Sequence, residues 1–137
     1  DTIVRQGDKK QLNSLTKDSK FRFKFKGKVK TIQDKIYVLI QATLGGITIH
    51  DFSLLQDVSK IFKSAERVSR FLTEYSSKKR YFLSTINSIL LLKCIRSKLW
   101  ENSLYVSRQI DRIGPALSQL LVNADLTTFE RILKKHP

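Results

Sequence analysis

The stretch FSLLQDVSKIFKSAERVSRFLTEY, residues 52–75, decides the fold of this chain. Apolar side chains recur in it at three- and four-residue spacing, and a basic series recurs at the same spacing. At about 100° per residue, the two series lie on different sides of one helix. The apolar positions are Leu54, Val58, Ile61, Phe62, Ala65, Val68 and Leu72, and the basic positions are Lys60, Lys63, Arg67 and Arg70. The stretch therefore predicts a long helix from near Asp51 to near Tyr75 that packs through its apolar side.

The basic side of this helix, formed by Lys60, Lys63, Arg67 and Arg70, is called the basic stripe below. One interpretation is an ordinary solvated face, which is usual for charged residues on surface helices. The other is a row of regularly spaced cations for a long polyanion, and single-stranded nucleic acid is the best fit among such partners. Three acidic residues of the helix dilute its charge, so the pattern alone leaves both interpretations open.

The rest of the composition favours an anionic partner. The chain has 137 residues with 26 Lys and Arg against 12 Asp and Glu, and its formal net charge at pH 7 is +14. Residues 1–35 hold eleven basic residues and four acidic ones, and residues 76–100 hold six basic residues and no acidic one. Such a surface attracts phosphate backbones or anionic lipid, and nucleic acid is the leading candidate. If the two blocks flank the striped helix in space, the three form one positive track.

Several protein classes are disfavoured by residues that the chain lacks. The longest apolar run, Ile89 to Leu92, is too short to cross a bilayer, and no signal peptide opens the chain. Cys94 is the single cysteine and has no partner for an internal disulfide, which favours the nucleus or cytosol over secretion. Because the sequence contains no methionine, we expect it to be a piece of a longer protein.

Residues that carry catalysis are sparse. His50 and His136 belong to no metal-ligand spacing, and the sequence contains neither a G-x-x-x-x-G-K-[ST] phosphate loop nor a G-x-S-x-G elbow. We therefore expect no catalytic residue, no metal and no cofactor in this chain itself.

The N-terminal third is predicted to be largely irregular. Residues 1–20 are polar and predicted to be loosely structured, with a helical turn or two starting at Asp8. Residues 21–30, FRFKFKGKVK, alternate uncharged residues, the first three of them phenylalanine, with lysine or arginine, which predicts an extended segment with aromatic rings on one side and cations on the other. The rings either pack on the domain or stack on nucleic-acid bases, depending on whether they are exposed.

Two further helices are predicted on either side of the striped helix. The first has Thr31 as its N-cap, runs to about Gln41 and is ended by the Gly45-Gly46 pair. After a break at residues 76–80, the segment from Tyr81 to about Leu99 is apolar nearly all round, which predicts a central core helix. The break carries Lys78, Lys79 and Arg80, which either serve an external ligand or are simply solvated.

The C-terminal part has the outline of a helix-hairpin-helix. A helix is predicted from about Ser103 to Ile110, a tight turn at Arg112-Ile113-Gly114, a helix from Pro115 to about Ala124, and a last short helix near Arg131. Backbone N–H groups at such a turn can hold a phosphate, although a purely structural hairpin fits the pattern equally well.

Four strings, in this order, resemble a known helical domain. They are FKGKVKT (25–31), LIQA (39–42), KCIRSKLWENS (93–103) and the stretch from Ile113-Gly114-Pro115 to Val122-Asn123-Ala124. Over residues 20–135 the chain resembles the Sec63-like domain of meiotic crossover DNA helicases of the Mer3 type. The KLWENS string is similar to the meiotic rather than the spliceosomal branch.

The resemblance implies a domain that follows two motor domains and a winged helix in an ATP-dependent, three-prime to five-prime DNA helicase of the nucleus. ATP and magnesium would belong to the motor domains. In related repair helicases a long helix here acts as a ratchet on the single strand, through a basic residue and an aromatic residue two turns apart. Lys60 and Arg67 are similar in position to that pair, and a guanidinium plane can also stack on a base.

These arguments predict a mostly α-helical fold, a multi-helix bundle with a long central ratchet-type helix. The predicted segments are 1–20, loosely ordered; 21–110, the helical bundle; and 111–137, the helix-hairpin-helix-like end of the same domain. The predicted partners are single-stranded or branched DNA and the motor and winged-helix domains of the same chain. No membrane contact is predicted. The predicted DNA-binding residues are Lys60, Lys63, Arg67, Arg70, Lys78, Lys79, Arg80, Arg112 and Gly114.

Two other functions stay open. One is a scaffold that docks recombination or mismatch-repair proteins within that helicase. The other is a part of the endoplasmic-reticulum translocation machinery that shares the domain's name, against which the net charge and the meiotic-type strings argue.

Overall fold

A computed structural model describes residues 3–135 of the chain, and of Pro115 only the backbone. Six α-helices and one 3-10 helix form the regular structure of these residues, and no strand occurs among them. The helices are α1 (Asp8–Leu15), α2 (Ile32–Leu44), α3 (Phe52–Lys78), α4 (Phe82–Ser97), α5 (Pro115–Asn123) and α6 (Phe129–Lys134), and the 3-10 helix is Val106–Gln109. The predicted mostly helical fold is confirmed. Two compact units form the chain, one up to Trp100 and one from Glu101 onward.

The starts of α2 and α3 are set by side-chain caps, of which the sequence predicts the one at Thr31. Thr31 accepts a hydrogen bond from the Asp34 N–H, and the Asp34 carboxylate accepts one from the Thr31 N–H, which completes a capping box. Asp51 accepts a hydrogen bond from the Leu54 N–H in the same way. The N–H groups of Lys30 and Thr31 hold the pKa of the Asp34 carboxyl below its ordinary value.

The end of α2 depends on a close backbone approach. Gly45 is the C-cap of α2, and a Cβ atom at this position would lie 2.7 Å from the carbonyl oxygen of Lys20. Gly46 has a φ of 68°, in the left-handed region that glycine tolerates without strain. The Gly-Gly pair therefore stops the helix and lets the preceding segment pass against it.

The core of the first unit lies between α1, α2, the N-terminal half of α3 and the end of α4. Its buried members are Leu12, Phe21, Val29, Val38, Leu39, Leu44, Leu54, Val58, Ile61, Phe62, Cys94 and Ile95. The predicted apolar side of α3 is therefore buried over its first three turns. Farther along the helix, Val68 and Leu72 are exposed, and α3 packs on α4.

The prediction that residues 81–99 form a central core helix is wrong. The buried residues of α4 are Ser88, Cys94 and Ile95, and its main packing partner is α3. Most of its large apolar side chains are exposed, including Phe82, Leu83, Ile86, Ile89, Leu90 and Leu91. A helix that is apolar on every side is usually a buried one, but this pattern does not show which elements bury it.

The N-terminal segment is more ordered than its polar composition predicts. Helix α1 begins at Asp8, as predicted, and Leu12 is fully buried in the core. A buried cation anchors α1 to its neighbours: the Lys35 ammonium forms ion pairs with the Asp8 and Asp57 carboxylates. Residues 1 and 2 of this predicted segment lie outside the described residues.

In the second unit, the prediction of a helix from Ser103 to Ile110 is wrong in both the type and the length of the helix. Only a 3-10 helix of 4 residues, Val106–Gln109, forms there. Ser103 accepts a hydrogen bond from the Tyr105 N–H, which competes with helical bonding, and the hydroxyls of Ser107 and Ser118 form a buried hydrogen bond at 2.9 Å. Helices α5 and α6 lie where the sequence predicts them. The hairpin-type interpretation and the boundaries at residues 20 and 110 stay predictions.

Candidate nucleic-acid interface

The basic stripe lies on a helix of 27 residues, which is about 40 Å long at about 1.5 Å per residue. Lys60, Lys63 and Arg67 are all exposed on it. None of the three forms an ion pair with a carboxylate of residues 3–135. Lys60 and Arg67 lie about 10 Å apart along the helix axis. The stripe thus presents three uncompensated cations along two turns.

The fourth residue of the stripe, Arg70, is partly compensated. Its guanidinium lies 2.9 Å from the Glu66 carboxylate, one turn earlier on α3. Glu66 also accepts a hydrogen bond at 3.0 Å from Arg96 of α4, and this bond, followed by the charges of Arg96 and Arg70, holds the pKa of Glu66 below its ordinary value. Exposed pairs of this kind contribute little to stability, because solvent screens them. Glu66 therefore links α3 to α4 and reduces the charge that Arg70 offers a ligand.

The cluster Lys78, Lys79 and Arg80 lies at the C-terminal end of α3, and all three side chains are exposed. Lys78 follows Lys60 by 18 residues, which is about five turns, so both lie on the same side of the helix. The Lys79 ammonium lies 5.9 Å from the centre of the Tyr75 ring. Lys78 is the last residue of α3, Lys79 is its C-cap and Arg80 follows in the turn, so the cluster lies at the end of the helix that carries the basic stripe.

The predicted residues Arg112 and Gly114 belong to the second unit and are exposed. Gly114 has a φ of −81°, and a Cβ atom there would meet open space, so the backbone does not require glycine. Helix α5 begins with Pro115, which has no N–H to offer an anion. A phosphate contact at this turn stays a prediction.

Sequence reasoning missed an aromatic pair beside the basic stripe. Phe71 and Tyr75 stack with ring centres 6.2 Å apart and planes inclined by 25°. Their residues are 64% and 48% exposed, so the rings do not belong to the core. Phe71 follows Lys60 by 11 residues, which on a helix places it only about 20° from that lysine. The sequence therefore contained a signal for this pair, because helical spacing alone places Phe71 on the same side of α3 as Lys60.

An apolar groove of about 410 Å³ borders the stripe at Lys60. Its walls come from α2 and α3, and its lining residues are Ile36, Ile40, Lys60, Ile61, Ser64, Ala65 and Val68. Helix α3 thus carries cations and exposed aromatic rings, and an apolar groove that it shares with α2 lies beside them.

Neither a metal cluster nor a membrane span adds to this site. Among residues 3–135, no group of three or more His, Cys, Asp and Glu side chains is arranged to hold a metal ion. In the same residues no helix combines the length and the apolar character that crossing a bilayer requires. His50 is exposed, and His136 lies outside the described residues.

Comparison with known proteins establishes the family. The model of the Sec63 Brl domain matches residues 1–134, and the chain belongs to this family. The chain is 46% identical over 136 residues to human "Probable ATP-dependent DNA helicase HFM1". The matched region makes up 96% of this chain and 10% of that protein. It is 31% identical over 144 residues to Arabidopsis thaliana "ATP-dependent DNA helicase homolog MER3", covering 98% of this chain and 13% of that protein. A further relative is the "Activating signal cointegrator 1 complex subunit 3-like" protein of Dictyostelium discoideum, 31% identical over 119 residues, which make up 86% of this chain and 5% of that protein.

The resemblance found in the sequence strings is therefore confirmed. The chain spans roughly a tenth of the length of the helicases that it matches.

Proposed function

We propose that this chain is the DNA-binding module of an ATP-dependent DNA helicase and that α3 is the helix that holds the translocating strand. The observation that carries the proposal is the set of three exposed cations, Lys60, Lys63 and Arg67, that lack a carboxylate partner within residues 3–135. The relatives named above as ATP-dependent DNA helicases support the choice of DNA as the polyanion. On the resemblance, the parent protein acts in the nucleus in meiotic crossover formation and moves three-prime to five-prime.

The proposed binding combines phosphate and base contacts. The ammonium groups of Lys60 and Lys63 contact phosphates and release the counterions condensed on the strand. The planar guanidinium of Arg67 either forks onto a phosphate or stacks on a base. Phe71 and Tyr75 offer exposed ring faces one and two turns farther on, where bases of any sequence can stack.

The apolar side of α3 makes it suitable as a rigid strand contact. Leu54, Val58 and Ile61 are buried, so the first turns of α3 are fixed in the core while the opposite side is free. A helix held in this way transmits a displacement of the strand to the rest of the domain. ATP hydrolysis, with its magnesium, would take place on motor domains of the parent helicase.

A salt titration tests this proposal. For single strands the logarithm of the binding constant falls with the logarithm of salt concentration by about 0.7 per phosphate contact. Replacing Lys60 and Arg67 by glutamine should therefore reduce the slope of oligonucleotide binding by about 1.4, because two contacts are lost. Fluorescence anisotropy with a labelled oligothymidylate measures the slope.

A matched control removes the same charge elsewhere. Lys9 and Lys10 are exposed on α1, so the Lys9→Gln/Lys10→Gln variant changes the net charge equally without touching α3. We expect its slope to stay close to that of the unmodified chain. Equal slopes for all three proteins would contradict the assignment of α3 as the strand contact.

The exposed apolar side chains of α4 favour a second candidate function, which is protein docking. Soluble monomers rarely expose large apolar patches without using them. Phe82 and Leu83 are each 74% exposed at the start of α4, and Ile86, Ile89 and Leu90 follow along the same helix. We propose that the motor and winged-helix domains of the same helicase cover these residues. The alternative is a scaffold for recombination or mismatch-repair proteins.

Replacing Phe82 and Leu83 by serine is expected to weaken association with separately produced motor and winged-helix domains by at least about tenfold, since two large apolar side chains leave the interface. The free energy of unfolding of this chain should change by less than about 0.5 kcal/mol, because neither side chain is buried in it. Isothermal titration calorimetry and urea unfolding measure the two effects. Unchanged association would exclude this part of α4 from the proposed interface.

A further inference from the structure

Residues 21–30, called the basic arm here, form neither helix nor strand and are held in place by side chains of neighbouring helices. The Gln41 amide group both accepts a hydrogen bond from the Phe23 N–H and donates one to the Phe23 carbonyl, each at 2.8 Å. Near the other end, Asn13 accepts a hydrogen bond from the Val29 N–H at 2.9 Å. Phe21 and Val29 are buried in the core. The arm is therefore anchored at two points, and its middle part is oriented before any ligand arrives.

The middle of the arm carries a row of cations with no internal counter-charge. Lys24, Lys26 and Lys28 are exposed, and none of them forms an ion pair with a carboxylate in the part of the chain that the structure describes. The two acidic residues that flank the row along the chain accept hydrogen bonds from backbone N–H groups: Asp18 from Lys20, and Asp34 from Lys30 and Thr31. The three lysines lie two residues apart along the arm, and a bend at Gly27, with a φ of 95°, separates Lys26 from Lys28.

An aromatic cluster lies at the start of this row. The Phe23 residue is 52% exposed, although its alternation with buried Phe21 predicts a ring on the core side. Its ring meets Trp100 edge to face, with centres 5.7 Å apart. The Arg22 guanidinium lies 5.3 Å from the centre of the Phe23 ring and 4.9 Å from that of Trp100. The exposed ring is thus held in place by two neighbours.

From these contacts we infer that the basic arm is a second contact for single-stranded nucleic acid, formed by different residues from the basic stripe. Lys24, Lys26 and Lys28 bind successive phosphates, and the exposed face of Phe23 stacks on a base. A fixed aromatic ring next to a row of cations is the combination that binds single strands without sequence preference. An acidic peptide would satisfy the lysines but offers no flat ring for Phe23, so nucleic acid is the better match.

The first test removes charge from the arm. In the Lys24→Gln/Lys26→Gln variant, the affinity for an oligothymidylate of about 15 nucleotides is expected to fall roughly tenfold at low salt, and the salt slope by about 1.4. The Lys9→Gln/Lys10→Gln variant is the matched control for net charge. If both variants bind with the same affinity and slope, the arm is not a specific contact. If the arm variant loses affinity only for a polyglutamate peptide, an acidic protein is the partner and the inference is overturned.

The second test separates base stacking from charge. Phe23→Ala is expected to weaken binding of the oligothymidylate about five- to tenfold and to leave binding of an abasic strand of equal length unchanged. Phe23→Tyr, which keeps a ring, should bind both strands as the unmodified chain does. Equal losses on both strands would show that Phe23 acts only through the structure of the arm.

One further titration tests the inference about the arm independently of the proposal for α3. The Lys60→Gln/Arg67→Gln variant is titrated with the same two strands. If it binds normally while the arm variants do not, the basic stripe is not a strand contact and the arm remains one. The opposite result retains the stripe and removes the arm.

Discussion

Reversing the charge at both Lys60 and Arg67 is expected to stop DNA unwinding by a helicase that carries this domain. In Lys60→Glu/Arg67→Glu, two attractive phosphate contacts become two repulsive ones, at two of the three stripe positions that form no ion pair within residues 3–135. We expect the affinity of this chain for single-stranded DNA to fall roughly a hundredfold at low salt. A strand-displacement assay with the parent helicase and an anisotropy titration with this chain measure the two effects.

The fold of this variant should remain intact. Lys60 and Arg67 are exposed, and substitutions at such sites usually change stability by less than about 0.5 kcal/mol. Lys9→Glu/Lys10→Glu produces the same change in net charge on α1 and is expected to leave unwinding in place. If the α3 variant unwinds DNA at the normal rate, the role of α3 as the strand-holding helix has to be abandoned.

Replacing Lys35 by methionine is expected to have the largest effect on stability. The Lys35 side chain is fully buried, and its ammonium lies 2.7 Å from Asp57 and 2.8 Å from the Ile3 carbonyl, besides its bond to Asp8. Without this cation two buried carboxylates face each other, and among residues 3–135 Arg5, 3.1 Å from Asp57, is the one remaining cation in an ion pair with them. Removing one partner of a buried pair costs about 3–5 kcal/mol, a large share of the total stability of a small domain. Urea unfolding measures the loss.

A variant that removes the whole network distinguishes the loss of the cation from a general packing defect. Asp8→Asn/Lys35→Met/Asp57→Leu leaves no buried charge at this place, and buried ionic groups can often be replaced by apolar ones without loss. We therefore expect it to be more stable than Lys35→Met alone. If Lys35→Met costs less than about 1 kcal/mol, the buried cation is not a main tether of α1 to α2 and α3.

The same network predicts the response to acid. Burial by itself would raise the pKa of the Asp57 carboxyl, but the hydrogen bond and charge of Lys35, together with Arg5, outweigh it and hold the pKa below 3.8, its ordinary value. Because the pKa is lowered in the folded state, the stabilisation is present above about pH 4 and is lost as the pH falls through the folded-state pKa. The triple variant should lose less stability over that range, as denaturant unfolding at a series of pH values would measure.

This network also bears on the proposed function. Asp57 lies on α3 less than one turn before Lys60, so the Lys35–Asp57 ion pair fixes the first turns of the striped helix to α2, while the Lys35–Asp8 pair holds α1 to α2. The proposed strand contact thus begins where α3 is anchored by a buried ion pair.

Much of the helical framework is readable from local sequence. Thr31 and Asp51 each cap a helix through a residue three positions later, and a Gly-Gly pair ends α2. Such signals act within one turn, so a short window of sequence contains them completely. The basic stripe is equally local, since helical periodicity alone places Lys60, Lys63 and Arg67 on one side of α3.

Burial and charge pairing could not be predicted in the same way. By sequence Lys35 is one more cation of a basic N-terminal block, and only the packing of α1, α2 and α3 makes it a buried tether between Asp8 and Asp57. Arg96 belongs to the second basic block, and Glu66, which accepts its hydrogen bond, lies 30 residues away along the chain. Neither partnership has a signal within a local window.

The amino-acid sequence by itself determined most of the helices, the caps of α2 and α3 and the rows of cations, because these depend on residues within a few positions of each other. The tertiary structure decided which cations stay free, that Phe23 and the Phe71–Tyr75 pair face solvent, and that α4 keeps its apolar side chains exposed. These properties depend on which distant elements cover a side chain, and such coverage is settled by long-range packing rather than by periodicity.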